Sequence, residues 1–153
     1  MLCVKASVRN SKIHGMGLFA SENIEKGAIV AIFTEGVKIT DEKGYLRMAK
    51  KKDKTFEQTS VRLAGDYFLY KDKIESEDFI NHSDDPSLLY HCGVCFARRN
   101  IKTGEELTAD YKHFLSADKS NSIRNAQSGK IINGFSWKDA LRKSAKELTS
   151  LID

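Results

Sequence analysis

The chain reads as a mainly β fold, a β-rich α+β domain of small sheets with one terminal α-helix. Three observations carry that reading. Short apolar runs recur along most of the sequence, and glycine or polar turn residues separate them about every eight to twelve residues. The middle of the chain carries a lysine-rich interruption, and the best apolar stripe at helical spacing lies at the far end. Many strands, few helices and frequent turns point to small sheets packed around one core.

Residues 4–8, 17–20 and 28–33 read as strands with glycine punctuation. Residues 40–55 then change character. Asp41 can cap a helix in which Leu46, Met48 and Ala49 give a thin apolar stripe amid lysines, a short surface helix or loop inserted between strands. Strands return at 60–63, 67–70, 88–90 and 94–97, with Gly65 and Gly93 at the turns of two hairpins. In 101–107 the glycine turn of KTGEEL leads into a last short strand. Residues 116–134 are polar and read as loop. Ser136 is a good N-cap with Asp139 in the capping-box position, so a helix is expected over about 136–152. Trp137, Ala140, Leu141, Ala145, Leu148 and Ile152 give it one apolar face. That face docks on its own domain, or on a partner such as a second copy, which would make a homodimer. The expected organisation is a domain over 1–115 with an inserted segment at about 40–55, and a C-terminal extension over 116–153 packed on the same domain.

At 153 residues the chain suits a single domain with one real core. Its 41% apolar and 30% charged residues are ordinary for a soluble protein, and no apolar run approaches the roughly 18 residues of a membrane span. No signal-peptide pattern opens it, so the default expectation is the cytoplasm, or a host nucleus if the protein is a secreted effector. The net charge of +4 gathers in local clusters, the densest being Lys50, Lys51, Lys52 and Lys54. These form a solvated face or an electrostatic footprint; no aromatic residues interleave with them as a nucleic-acid stacking platform would require. Cys92 and Cys95 have CxxC spacing without a second pair, so neither a zinc site nor a disulfide framework is expected.

Three segments carry chemistry. The first is HGMGLFA, in which Gly15 and Gly17 flank Met16 and let the backbone approach a ligand closely or take positive φ. In FINHS, Asn81 follows an apolar pair; its short amide either caps the turn or binds a ligand, and the His82 ring either serves the core or the site. GEELTADY ends in Tyr111, whose hydroxyl, with an ordinary pKa near 10, is a poor base but a good hydrogen-bond partner.

In order and spacing these segments resemble the SET-domain protein lysine methyltransferases, over about residues 8–115. The resemblance implies small curved antiparallel sheets with a threaded C-terminal motif segment. It implies transfer of a methyl group from S-adenosylmethionine to a lysine side chain by in-line attack. Carried over by position, the backbone at Gly15, Met16 and Gly17 would hold the methionine part of the cofactor. Asn81 would take its ammonium, the His82 backbone would pair with the adenine edge, and Phe114 would cover the adenine. Tyr111 would be the active-site tyrosine, while Tyr67 and Ala109 would shape the lysine channel.

Departures from the family pattern are informative. Where many relatives place a zinc-binding cysteine after NHS, this chain has Asp84, and no cysteine follows Cys95, so no metal is expected. The polar segment and the Trp137 helix would supply the wall that the zinc cluster gives elsewhere. Ala109 replaces a common aromatic residue, implying a roomier channel able to pass beyond monomethylation. The implied partner is a protein with an exposed lysine, histone-like or otherwise. The inserted segment and the C-terminal region are both basic, which matches a basic tail poorly, although Glu75, Glu77, Asp78, Asp84 and Asp85 would form an acidic rim. The competing reading is a non-catalytic SET-fold module that binds a peptide; a basic nucleic-acid-binding domain is a third.

Overall fold

The computed structural model describes residues 1–118 and 123–152. Three small sheets stand on one apolar core. In the first, β1 (Ala6–Asn10) and β2 (Met16–Ala20) form an antiparallel hairpin whose register runs from Ala6 opposite Ala20 to Asn10 opposite Met16. The second gathers β3 (Ile29–Ile32), β8 (Leu88–His91) and β9 (Val94–Ala97) in the order β3-β9-β8. The third joins β4 (Val37–Asp41), β5 (Val61–Ala64) and β6 (Tyr67–Lys71) in the order β4-β6-β5. The two expected hairpins turn at Gly65 and Gly93.

Two strands escape a reading by apolar runs. β4 carries Lys38, Thr40 and Asp41, and it exists because β6 pairs with it along all five residues. β7 (Asn81–His82) is two residues long and pairs parallel to β10 (Glu106–Ala109), Asn81 opposite Thr108 and His82 opposite Ala109. β10 also pairs antiparallel with β2, so the late strand threads between an early hairpin and the Asn-His turn, giving the order β1-β2-β10-β7.

Leu18, Val30, Leu88, Ile101 and Leu107 form the fully buried centre. Beside them Phe33, Tyr90 and Phe114 pack edge to face, with Tyr90 and Phe114 at 4.6 Å between ring centroids.

The inserted segment holds two helices where one was expected. Asp41 caps α1 (Glu42–Ala49) by accepting from the Gly44 N–H at 2.8 Å, and Asp53 caps α2 (Lys54–Thr59) from Phe56 at 2.9 Å. The expected stripe of Leu46, Met48 and Ala49 is only half-buried. Tyr45 is the buried anchor, stacked on Phe68 at 4.1 Å and packed against Phe56, because aromatic rings offer more area to a small satellite core.

The last helix, α3 (Trp137–Ile152), starts where Ser136 Oγ accepts from the Asp139 N–H at 3.2 Å. It packs across β8 with a face rotated from the apolar spacing: Ala140 and Ser144 are buried, while Leu141 and Ile152 are exposed. The buried hydroxyl of Ser144 is satisfied by Ala140 O and His91 Nδ1, each at 2.8 Å, so a polar residue can face the sheet. An Arg98–Glu147 ion pair fixes the helix further along. Of the polar segment before it, residues 119–122 lie outside the described residues. Among the described residues no helix is long and apolar enough to cross a membrane.

Candidate active site

The site begins with a polar clamp. Ser11 Oγ donates to the Glu106 carboxylate, 2.8 Å from one oxygen and 2.9 Å from the other, and accepts from the Ile13 N–H at 2.9 Å. Parallel pairing of β7 with β10 brings Asn81 to the same carboxylate: its Nδ2 meets Glu106 Oε1 at 2.9 Å, Met16 O at 3.0 Å and His14 O at 3.1 Å. Three acceptors around Nδ2 fix the orientation of the amide. The loop 14–16 is therefore tied down by the residue expected to bind a ligand beside it. Gly15 sits at φ +47, and a Cβ on Gly17 would collide with the Glu106 carboxylate. The first glycine makes the turn and the second admits Glu106.

His82 and Tyr111 are joined through the backbone. His82 Nδ1 accepts from the Tyr111 N–H at 3.1 Å, which places the ring proton on Nε2, 3.5 Å from Asp84 Oδ1. Burial lowers the His82 pKa, so the imidazole is neutral near pH 7. The Tyr111 hydroxyl donates to Ile80 O at 2.8 Å. Burial, reinforced by the Glu106 charge, pushes the Tyr111 phenol well above its ordinary value, so it stays protonated.

These groups surround two neighbouring cavities. The larger, about 490 Å³, is lined by Ile13, His14, Gly15 and Met16, by Asn81, His82 and Tyr111, and by Lys54, Glu57, Gln58, Asp78, Phe79, Ile123, Arg124 and Ala126. The smaller, about 60 Å³, is walled by Phe33, Ser60, Val61, Glu77, Ile80, Phe114 and Leu115. Tyr111, Glu57, Gln58, Asp78 and Ile123 border both. A wide chamber and a narrow one thus meet beside a single phenol.

The structure gathers Gly15, Met16, Asn81, His82 and Tyr111, and sets the other expected residues elsewhere. Gly17 lies buried beneath Glu106 and borders neither cavity. Phe114, expected over the adenine, stacks under Tyr111 at 5.2 Å and lines the narrow chamber, because the helical turn at Tyr111–His113 folds it back into the core. Tyr67 is 56% exposed at the β5–β6 turn and reaches neither chamber; strand alternation turns its neighbour Phe68 inward. Ala109 is wholly buried beside His82 in the sheet and also borders neither. Glu77 and Asp78, expected on an acidic rim, are buried against the Lys71 ammonium at 3.1 and 2.6 Å, since two carboxylates and a lysine can leave water only together.

Sequence reasoning missed Glu106, although GEEL had been singled out, because nothing local tells which glutamate turns inward. Of the polar segment and the Trp137 helix, both expected to form a wall, the segment lines the wide chamber through Ile123, Arg124 and Ala126, while no described residue of α3 lines either chamber. Cys95 is buried with its thiol pushed up to about 12, and Cys92 is half-buried with a raised pKa, both through burial.

Comparison with known proteins gives a consistent result. The model of the SET domain family matches residues 15–112, which contain the GxG loop, Asn81, His82, Glu106 and Tyr111. The human histone-lysine N-methyltransferase 2B is 34% identical over 133 residues, covering 76% of this chain and 4% of that protein. The H3 lysine-4 specific histone-lysine N-methyltransferase of Schizosaccharomyces pombe is 32% identical over 127 residues, covering 71% of this chain and 13% of that protein. The chain therefore spans only a small part of these relatives. Among solved structures, the Neurospora SET domain protein DIM-5, a histone lysine methyltransferase, superposes with a TM-score of 0.59 at 20% identity, over 77% of this chain and 56% of that one. An active polycomb repressive complex 2 in the basal state gives 0.56 at 23% identity, over 71% and 15%. From its matched segments and its threaded small-sheet fold, this chain belongs to the SET-domain family.

Proposed function

We propose that the protein is an S-adenosylmethionine-dependent protein lysine N-methyltransferase that works by in-line attack of the lysine amine. The observation that carries this reading is the position of Tyr111, on the wall common to a wide chamber and a narrow one. The residues present fit the cofactor. Loop carbonyls of His14 and Met16 and the Asn81 amide suit an ammonium, Lys54 and Arg124 suit a carboxylate, and about 490 Å³ lies within the usual range of small-molecule sites. S-adenosylmethionine, when bound, supplies an electrophilic methyl group on a sulfonium.

The rest of the work falls to this chain. A target lysine arrives as an ammonium with a pKa of about 10.4 and must lose a proton before its nitrogen can attack. Phe33, Val61, Ile80, Phe114 and Leu115 in the narrow chamber disfavour the charged form, against the Glu57, Glu77 and Asp78 carboxylates that line the same chamber and favour it. A three-unit depression corresponds to about 4 kcal/mol. Because the Tyr111 proton is committed to Ile80 O, its oxygen lone pairs are free to accept an amine N–H and orient the nucleophile. With its pKa raised, the phenol positions the amine and abstracts no proton.

The relatives' names specify histone lysine as acceptor, and their similarity supports a protein lysine here. The test is incubation with methyl-tritiated S-adenosylmethionine and core histones, followed by mass spectrometry of histone and enzyme lysines. Methyl-lysine on either, absent with Tyr111→Phe, is expected. No methyl-lysine on either, with S-adenosylhomocysteine failing to bind in calorimetry, would refute the reading.

A further inference from the structure

Asp84 stands where three segments meet. Its Oδ2 accepts from Asn125 Nδ2 at 3.0 Å, and its Oδ1 lies 3.3 Å from Lys112 Nζ and 3.5 Å from His82 Nε2. The first contact leads to the wall of the wide chamber, because Asn125 sits between Arg124 and Ala126, which line it. The other two lead to Tyr111: Lys112 follows it in the chain, and His82 Nδ1 accepts the Tyr111 N–H at 3.1 Å. Neither Asp84 nor Asn125 lines a chamber, so whatever they do for a ligand passes through their neighbours.

Asn125 is held in one orientation. Its Oδ1 accepts from the Gln127 and Ser128 N–H groups at 2.9 and 3.1 Å, which leaves Nδ2 to face the Asp84 carboxylate. Its N–H donates to Lys130 O at 2.9 Å and its carbonyl accepts from the Gly129 N–H at 2.8 Å, closing a tight turn. Ile123 and Ile132 pack on the core at the two ends of this turn. Of residues 124–131, only Asn125 is buried. The turn therefore faces solvent and the wide chamber everywhere except at the side chain bonded to Asp84.

We infer that Asp84 and Asn125 are positioning residues: their hydrogen bond fixes Arg124 and Ala126 over the wide chamber at a set distance from Tyr111, and so governs affinity for the cofactor. The identity of the ligand rests on the methyltransferase reading; the latch itself rests on the contacts alone. Because the Asp84 side chain is 64% exposed, the pair adds little to global stability, and losing it frees the turn without unfolding the domain.

Asn125→Asp sets two carboxylates face to face, whereas Asp84→Asn/Asn125→Asp restores the bond with donor and acceptor exchanged and keeps an oxygen toward the Gln127 and Ser128 N–H groups. Four quantities are measured: S-adenosylhomocysteine binding by calorimetry, KM for S-adenosylmethionine and kcat with core histones, melting temperature, and trypsin cleavage after Arg124 and Lys130 in the ligand-free protein. The single variant is expected to raise Kd and KM about tenfold while kcat at saturation falls less than about twofold. Cleavage should quicken about fivefold, with the melting temperature within about 2 °C of the wild type. The double variant should return Kd and cleavage to within about twofold of the wild type. A single variant indistinguishable from the wild type, or a double variant no better than the single, overturns the inference. So does a joint fall of kcat, affinity and melting temperature, which marks a merely structural pair. Should Asn125→Asp fail to fold, Asp84→Ala removes the same bond from its exposed side and is held to the same expectations. A wild type that binds no S-adenosylhomocysteine counts against the methyltransferase reading; the trypsin rates then decide the latch, recovery in the double variant upholding it and no recovery overturning it.

Discussion

Asn81 Nδ2 and Glu106 Oε1 meet at 2.9 Å, joining the Asn-His turn to the last strand. The same carboxylate holds Ser11, and the same amide holds the carbonyls of His14 and Met16, so four parts of the chain share one hydrogen-bond centre. Asn81→Ala would remove the side-chain donor from the His14 and Met16 carbonyls, leave Glu106 with Ser11 alone at this centre, and let the loop drift from the wide chamber. Cofactor affinity is expected to fall by about tenfold or more, with kcat at saturation changed less. Calorimetry with S-adenosylhomocysteine checks this; an unchanged Kd would sink it.

Tyr111→Phe removes the hydroxyl bonded to Ile80 O while keeping the ring on Phe114. Methyl transfer is expected to drop about 10²-fold with cofactor Kd nearly unchanged, as for a group that acts in the transition state. Turnover within a factor of about three of the wild type would remove Tyr111 from the mechanism.

Ile123, Arg124 and Ala126 wall the wide chamber; α3 secures the extension through His91 and Arg98, and just before the helix the Arg62 guanidinium donates to Phe135 O at 2.8 Å. A chain ending at residue 116 is expected to lose both cofactor affinity and activity. Arg124→Ala in the full chain should lower affinity alone, by about three- to tenfold, as for loss of one exposed charged contact. Full retention of both in the truncated protein would refute the wall.

Lys71 is almost wholly buried between Glu77 and Asp78. Lys71→Met would leave buried Asp78 without its cation and Glu77 with only the N-terminal ammonium, 2.7 Å away, and a loss of about 3 kcal/mol or more of stability is expected. The urea midpoint reports it; a loss below about 1 kcal/mol would show that the triad is relieved by other means.

Burial lowers the pKa of His82, His91 and His113 in the folded protein. Unfolded histidine titrates near 6.5, so below that value the unfolded chain binds more protons than the folded one. Their contribution is intact above about pH 6.5 and declines as the pH falls through the lower folded values. The urea midpoint should be lower at pH 5.5 than at pH 7.5, and His91→Gln should flatten the difference. A midpoint that rises on acidification would contradict the assignment.

Much of this was legible because it rests on local rules. Hairpins at Gly65 and Gly93, the Asp41 cap and the Ser136 start each follow from a few neighbouring residues. The GxG, NHS and DY segments stand out by type and order, and Gly15, Asn81, His82 and Tyr111 do line one cavity. What stayed hidden depends on partners distant in sequence. β4 becomes a strand only through β6, and β7 only through β10. Phe114 and Tyr67 were placed by position along the chain, but a helical turn and strand alternation decide where their rings go.

The threading of β10 between β2 and β7 has a consequence for how the molecule comes into being. Its partners lie far back along the chain, so this strand joins only after long loops have closed, a slow class of event in folding. The Glu106 centre and the Tyr111 wall follow directly upon it. Half-folded forms therefore lack the chamber, which closes only with completion of the architecture.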